Sequence, residues 1–453
     1  MTAINANAHD HDHDHDHSRG HAENHSHGHD HGHPVDLSDG NTHMPPGWGK
    51  AASVVLAALG VLLCIATLVP VFTGMSAADG GKSAKHAMSS YHVGFIVMLG
   101  MTLGPLGLIM ILNLVKAGWA ITIRRQLENM ASLVPVAIVL LVPTIIATLM
   151  KPDVLFKWMS GDAAVKADSV LQNKSAFLNP TFFYIRLAIY FTVWIYLATR
   201  LCRLSREQDS TGDKRLTLQA GLTSAWGILA FALSVAFASF DLVKALDYHF
   251  FSTMFGVYFF AGNMITGIAM LVLTLAVIRS TGRLKGLVTA EHLHDIGKLM
   301  MGFTVFWAYI TFSQYFLIWY ANIPEETAWY IARDKNGWQY FGVALIVLHF
   351  ILPFLILLWR QSKRVMPILA SVAALLIVMH CVDMFFCIRA IVYLTYENGE
   401  AVGKVGLSWV DITGLLGPIL VFVGLLVRKV GSGPLLPLKD PRLPEAIAHK
   451  NYV

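Results

Sequence analysis

The chain has 453 residues, of which 55% are hydrophobic and only 14% charged, and its mean hydropathy is +0.55. A soluble protein carries about 25% charged residues. The apolar residues here gather into runs of about twenty, the length that crosses a bilayer. This composition excludes a soluble enzyme and indicates an all-α, multi-pass membrane protein.

Residues 1–46 differ in composition from the rest. Twelve of the 20 histidines lie between His9 and His43, and residues 1–49 have a net charge of −7 against +12 for the remainder. We expect a disordered tail, because so few apolar residues cannot offset the entropy of ordering. Alternating imidazole and carboxylate groups suit Zn²⁺, Ni²⁺ or Cu²⁺, although a solvated tail would also bind such metals incidentally. The expected weak metal ligands are His9, His11, His13, His15, His17, His25, His27, His29, His31 and His33.

Ten apolar segments follow the tail and make up a predicted transmembrane domain, 47–430. They lie at about 51–73, 90–114, 131–150, 180–202, 217–240, 253–278, 299–320, 339–358, 367–392 and 408–427. An even number of spans places both termini on one side, where each of four connections holds three or four basic residues. The positive-inside rule therefore predicts that both termini are cytoplasmic. The proline-rich residues 431–453 are expected to lie extended along that face.

Ionisable residues within the spans are functional candidates, because the bilayer makes them costly. His349 lies in the eighth span, and His380 and Asp383 lie one turn apart in the ninth, all near mid-bilayer by residue count. Imidazole titrates near neutral pH, which favours a proton relay over a structural hydrogen-bonded pair. Arg389, nearer the outer end of the ninth span, joins these proton-transfer candidates. Arg186 in the fourth span is the fifth candidate.

The connection between the fifth and sixth spans is the densest polar motif. The candidates for an outer opening or a quinone-binding site are Asp241, Lys244, Asp247, His249 and Tyr258. A quinone carbonyl needs a hydrogen-bond donor, and a quinol loses its proton to a carboxylate or imidazole. A solvated loop that docks a partner is the alternative interpretation. Arg186 is expected either to pair with Asp241 or to extend to the membrane interface.

Two stretches resemble a known family, ALDYHFFSTMFGVYFFAGNM (245–264) and HDIGKLMMGFTVFWAYITFSQYFLIWYANIPEETAWY (294–330). They are similar to the ActF-type membrane subunit of alternative complex III, the bacterial quinol:cytochrome c oxidoreductase, and the resemblance extends over 47–430. It implies a place in the bacterial inner membrane and a fold related to NrfD-like polysulfide-reductase membrane subunits. That fold has two four-helix bundles, spans 2–5 and 6–9, with spans 1 and 10 flanking them.

The resemblance also implies partners and a role. The partners are a related NrfD-like membrane subunit, an Fe–S subunit and haem c subunits, besides membrane lipid, with no nucleic acid. The implied role is quinol interaction, with menaquinone or ubiquinone, and proton transfer in a chain that is not catalytic alone. In this family the better-supported quinol site belongs to the companion subunit.

Two other functions stay open. One is a structural scaffold within such a complex. The other is a divalent-metal transporter with a histidine-rich tail, for which intramembrane ligand pairs at i, i+4 on two helices are expected. The chain offers His380 and Asp383 at i, i+3 instead.

We predict that the purified chain carries neither haem nor an Fe–S cluster. Its four cysteines form no Cys-x-x-Cys pair and no haem-attachment motif, and an Fe–S cluster needs a set of cysteine ligands. The visible spectrum of the isolated chain should lack a Soret band. A stoichiometric Soret band would contradict the prediction.

Overall fold

The computed structural model describes residues 35–76, 81–393, 395–397, 400–402 and 405–451. The compact unit begins at Asp36. The histidines predicted to bind metal, His9 to His33, lie outside the described residues.

Ten helices in the described part of the chain are long and apolar enough to cross a membrane. They are α1 (Lys50–Gly74), α2 (Lys82–Leu114), α3 (Gly118–Met150), α4 (Pro180–Thr211), α5 (Lys214–Leu242), α6 (Phe255–Ser280), α7 (Ala290–Ala321), α8 (Trp338–Leu358), α9 (Met366–Tyr393) and α10 (Trp409–Val430). The prediction of ten spans is confirmed, and the chain is a multi-pass helical membrane protein. Several helices extend past the predicted apolar segments; α4, for example, continues to Thr211, and α7 begins at Ala290.

The helices form two four-helix bundles, as expected. In the first, α2 packs against α3 and α5, and α4 packs against α5 and the second half of α3. In the second, α6 packs against α7 and α9, and α8 lies against both of these. Helix α2 also contacts α6 and α9, so it joins the bundles, while α1 and α10 pack against each other and against α2.

Small residues let α1 and α10 approach backbone to backbone. A Cβ atom added at Gly60 would lie 2.6 Å from the Val421 backbone nitrogen. One added at Gly417 would lie 2.9 Å from the backbone nitrogen of Cys64. Close approach of this kind is how membrane helices gain packing energy, since lipid is as apolar as their side chains.

The two ends of the molecule are built differently. We call the end that carries residues 36–49, 281–289 and 431–451 the terminal face, and the opposite end the loop face. The loop face holds short helices in the connections, among them Ala163–Lys166, Ser169–Lys174 and Pro324–Ile331, and an antiparallel strand pair, Thr395–Glu397 with Glu400–Val402. The sequence predicts that the terminal face is cytoplasmic.

A buried charge cluster ties the C-terminal tail to the terminal face. Glu128 of α3 accepts hydrogen bonds from Arg124 Nε at 2.9 Å and from Arg125 Nη1 at 2.8 Å. Arg124 also reaches Asp440 of the tail at 3.3 Å, and Arg125 pairs with Asp209 at the end of α4. Each buried charge thereby has an opposite charge beside it, which its desolvation requires.

The tail therefore lies against this chain's own helices. Leu435 and Leu436 are fully buried, and the Gln126 side chain donates to the Leu435 carbonyl at 2.8 Å. The short helix Leu443–Ile447 packs against the start of α3. The sequence predicted an extended tail, whereas apolar residues within it find enough buried surface here to support a helical turn.

Residues just before α1 are also part of the packed structure. The Asn41 side chain donates to the Lys285 carbonyl at 2.9 Å and accepts from the Lys285 nitrogen at 2.8 Å. The Thr42 carbonyl accepts from the Leu435 nitrogen at 2.8 Å, and both Asn41 and Thr42 are buried. The packed part of the chain thus begins before position 46, where the sequence placed the end of the tail.

We predict that two truncations of the tail behave differently. Deletion of 2–34 should leave the melting temperature in detergent unchanged and abolish retention on immobilised Ni²⁺, because it removes the alternating histidines. Deletion of 2–43 should also lower the melting temperature by several degrees, since each lost buried hydrogen bond is worth about 1 kcal/mol. Equal melting temperatures for both truncations would contradict the role of Asn41 and Thr42.

Candidate functional site

A group of polar side chains lies inside the second bundle. Asp383 of α9 accepts a hydrogen bond from the Tyr258 hydroxyl of α6 and another, 3.2 Å long, from Trp307 Nε1 of α7. The Trp307 ring lies 4.1 Å, centroid to centroid, from the imidazole of His349 on α8. With His380, one turn before Asp383, these five residues form what we call the buried polar group. All four helices of the bundle contribute to it.

The two histidines of the group have no hydrogen-bond partner for either ring nitrogen among the described residues. Both are fully buried, and they lie within electrostatic range of each other. His349 sits in a π-helical turn, Leu345–Ile351, a distortion of the α-helix that is frequent at functional sites. A buried polar atom without a partner is costly, so these nitrogens are positions where a bound water molecule would be stabilised.

The group extends to the boundary between the bundles through Asn263 of α6. The Asn263 amide is buried and, like the histidines, has no partner among the described residues. A Cβ atom at Gly100 of α2 would lie 2.6 Å from Asn263 Oδ1 and 3.6 Å from His380 Nε2. The missing side chain at Gly100 therefore leaves the room that both polar groups occupy. The sequence analysis did not select Asn263, since one amide in an apolar span carries little signal.

Further polar groups lie between the buried polar group and the loop face. The Tyr258 hydroxyl is 3.4 Å from Cys387 Sγ, and Tyr330 is in electrostatic range of that sulfur. The Tyr330 hydroxyl accepts from Gln314 Nε2 at 3.2 Å, and Gln314 Oε1 accepts from the Ser252 hydroxyl at 2.5 Å. Ser252 is partly exposed on the loop face. Every side chain of this row can donate or accept a hydrogen bond.

Arg186 is held in an ion pair, one of the two arrangements expected for it. Its guanidinium donates to both carboxylate oxygens of Asp241, at 2.8 and 2.5 Å, and to the Phe177 carbonyl at 2.9 Å. The Tyr190 hydroxyl donates to the same carboxylate at 2.8 Å. This closed pair joins α4 to α5 in the first bundle. It lies apart from the buried polar group.

Arg389 is engaged by residues that the sequence analysis did not single out. Its Nε donates to Asp411 of α10 at 2.8 Å, and its Nη1 donates to Ser89 of α2 at 3.0 Å. Asp411 also accepts from Ser90 at 2.6 Å and lies 3.1 Å from His86 Nε2. The arrangement locks α2, α9 and α10 together. Asp411 was overlooked because it follows a loop and looks like a helix-capping residue.

The five residues expected at one outer opening are divided by the structure. Asp241 lies in the ion pair with Arg186, and Tyr258 belongs to the buried polar group. Lys244, Asp247 and His249 stay together near the loop face. These residues are close in sequence, but their side chains contact different neighbouring elements. The spacing of residues along the chain does not indicate which element each side chain contacts.

His249 takes part in an ionic contact between two loop-face connections. Its Nε2 lies 2.8 Å from Asp168 Oδ2, its Nδ1 lies 3.8 Å from Asp247, and the Tyr248 hydroxyl donates to Asp168 at 3.0 Å. The interactions with Asp247 and Asp168 raise the pKa of His249, although burial opposes them. Burial acts to raise the pKa of Asp168, but hydrogen bonds from Val170, Tyr248 and His249 outweigh it and lower that pKa.

Comparison with known proteins adds no assignment. No family model matches the chain, and no protein of established function matches it. Among the described residues, no group of three or more His, Cys, Asp or Glu side chains comes together in a way that could hold a metal ion.

We predict that His249 stabilises the loop face in a pH-dependent way. Because its pKa is raised on folding, its contribution is fully present below the unfolded pKa of about 6.5 and is lost as the pH rises through the folded value. The variant His249→Gln should melt about 1–2 °C below the parent near pH 5.5, a small gap because the ring is half exposed. Near pH 9 the two should melt together.

The control repeats the comparison in the Asp168→Asn background. There, His249→Gln should produce a smaller gap at low pH, since one of its two carboxylate partners is gone. A gap that is constant across the pH range would mean that His249 acts through packing alone.

Proposed function

We propose that the chain is a cofactor-free membrane subunit of a respiratory quinol:cytochrome c oxidoreductase of the alternative complex III type, and that it contributes to transmembrane proton transfer. The observation that carries the proposal is the buried polar group. It joins a carboxyl, a phenol and two imidazoles, of which both imidazoles have unpartnered nitrogens among the described residues. Each of these groups can hold or pass a proton.

The architecture agrees with the family that the sequence resembles. The resemblance implied two four-helix bundles flanked by the first and last spans, and the ten helices pack in that way. This agreement supports the family proposal at the level of the fold. The proposed partners are a related NrfD-like membrane subunit, an Fe–S subunit and haem c subunits, which would supply the redox centres.

The residues have distinct parts in the proposed transfer. His380 and His349 would receive a proton from the side of Asn263, at the boundary between the bundles. Asp383 would exchange it with the Tyr258 hydroxyl, which lies against it. The row from Cys387 to Ser252 would complete the connection to the loop face, the predicted outer side.

Proton transfer is a better-supported role for this chain than quinone binding. Two of the five residues expected to form a quinone site, Asp241 and Tyr258, are buried in contacts with other side chains. We therefore propose that the quinol, menaquinol or ubiquinol, is oxidised to the quinone elsewhere in the complex. The charge movement of that reaction would drive protons through the buried polar group.

We predict that Asp383→Asn slows or uncouples the complex. The amide keeps the shape of the side chain but cannot titrate, so proton transfer through this position should fall by about tenfold or more. The intact complex is reconstituted into liposomes, and cytochrome c reduction and protons moved per electron are measured together. Either a slower reduction or a lower proton ratio is the expected result.

The matched control is Asp440→Asn, the same change at a buried carboxylate of the terminal face. This variant should lower the yield of assembled complex while keeping the rate and the proton ratio of the complex that does assemble. If Asp383→Asn equals the parent in both fluxes, the buried polar group is structural and the chain acts as a scaffold. Tyr258→Phe, which leaves the carboxyl in place, should show a weaker form of the same defect.

A further inference from the structure

A cavity of about 300 Å³ opens on the loop face, where α4 begins and α5 ends. Four phenylalanine rings contribute to its walls, those of Phe177, Phe237, Phe240 and Phe250. Two lysines, Lys174 and Lys244, also line it. A site with aromatic walls and two ammonium groups suits a molecule that is anionic at one end and apolar at the other.

The lysines are held in place but keep capacity for a ligand. Lys174 Nζ donates to the Tyr248 carbonyl at 2.6 Å, and Lys244 Nζ donates to the Ser252 carbonyl at 3.0 Å. An ammonium group has three donors, so each lysine retains two. The Lys174 ammonium also lies 3.6 Å from the centre of the Phe251 ring, a cation–π contact that fixes its position further.

Neither ammonium group has a carboxylate within ion-pair distance among the described residues. The one acid of the cavity wall, Asp247, accepts a hydrogen bond from the His249 nitrogen at 3.1 Å and interacts with Arg333. Asp247 and Asp168 also act on Lys174 at longer range, which leaves two ammonium groups against one carboxylate in the wall itself. The nearby Arg186, by contrast, is neutralised by Asp241. The cavity therefore keeps a positive charge in a half-buried setting, where an anion gains more than it would at an open surface.

The surface below the cavity is suited to acyl chains. The outward sides of α4 and α5 expose large apolar residues along the helices from this end toward the middle, including Phe182, Ile185, Ile189, Leu233 and Phe237. In a multi-pass protein these faces meet lipid hydrocarbon. A ligand anchored by its anionic end at the lysines would extend its tails along this surface.

We propose that the cavity binds the phosphate headgroup of an anionic phospholipid. Lys174 and Lys244 would each donate a charge-assisted hydrogen bond to the headgroup, and the acyl chains would lie along α4 and α5. The cavity lies at α4 and α5 of the first bundle, so the site is distinct from the buried polar group of the second bundle. Its ligand comes from the surrounding bilayer. It requires neither quinol nor a partner subunit to be occupied.

The test compares retention of phosphatidylglycerol and phosphatidylcholine by the full-length protein in native mass spectrometry from detergent. The parent should retain one phosphatidylglycerol more tightly than phosphatidylcholine. The variant Lys174→Gln/Lys244→Gln should lose that preference, with an affinity about tenfold lower or more, because two charge-assisted hydrogen bonds are removed. Equal retention of both lipids by the parent would overturn the proposal.

The control is Lys157→Gln/Lys166→Gln, which removes the same charge from two exposed lysines of the loop face outside the cavity. It should keep the preference, and a loss equal to that of the cavity variant would mean that only the overall charge attracts the lipid. A salt titration on the parent protein tests the proposal even if the cavity variant does not fold.

Raising the salt concentration should weaken phosphatidylglycerol retention by the parent only modestly, since the lysine charges are partly shielded from solvent. Complete loss of retention in moderate salt would contradict a built site.

Discussion

The close packing of other helices around α2 is the constraint on which the rest of the structure depends. Helix α2 contacts both bundles and both flanking helices, and this is possible because glycine stands where neighbours approach most closely. A Cβ atom at Gly94 would lie 2.8 Å from the Leu415 carbonyl of α10, and one at Gly104 would lie 3.2 Å from the Gly267 Cα of α6. Larger residues there would separate the bundles and open the boundary at which Asn263 and His380 meet.

Within this frame, buried polar residues fall into two kinds. Arg186 with Asp241, and Arg389 with Asp411, form closed contacts in which each charge has an opposite charge and further hydrogen bonds. Such pairs fix helices relative to one another, since removal of one partner would leave an uncompensated charge. His349 and His380 are different, because their ring nitrogens have no partner among the described residues. The proposed proton transfer rests on this open hydrogen-bonding capacity next to a carboxyl.

The loop face brings two kinds of chemistry close together without merging them. Ser252 marks the loop-face end of the row that begins at Cys387, and its carbonyl accepts the hydrogen bond from Lys244 at the edge of the cavity. An anionic lipid bound at Lys244 would therefore sit beside the proposed outlet for protons. The negative charge of the lipid would stabilise the Lys244 ammonium group and hold the connection between α5 and α6 in place. The proposed proton transfer would still follow the interior of the second bundle.

The sequence by itself determined the ten spans, since runs of about twenty apolar residues have few other stable solutions in a bilayer. It also identified His349, His380 and Asp383, because an ionisable residue in such a run is conspicuous. Tertiary structure decided their partners: Asp383 binds Tyr258 and Trp307, and Arg389 binds Asp411, residues from helices far apart in the chain. Helical periodicity gives the face of one helix but not which helix covers it. That choice depends on how glycines and side-chain volumes fit between helices, and only the folded chain brings those surfaces together.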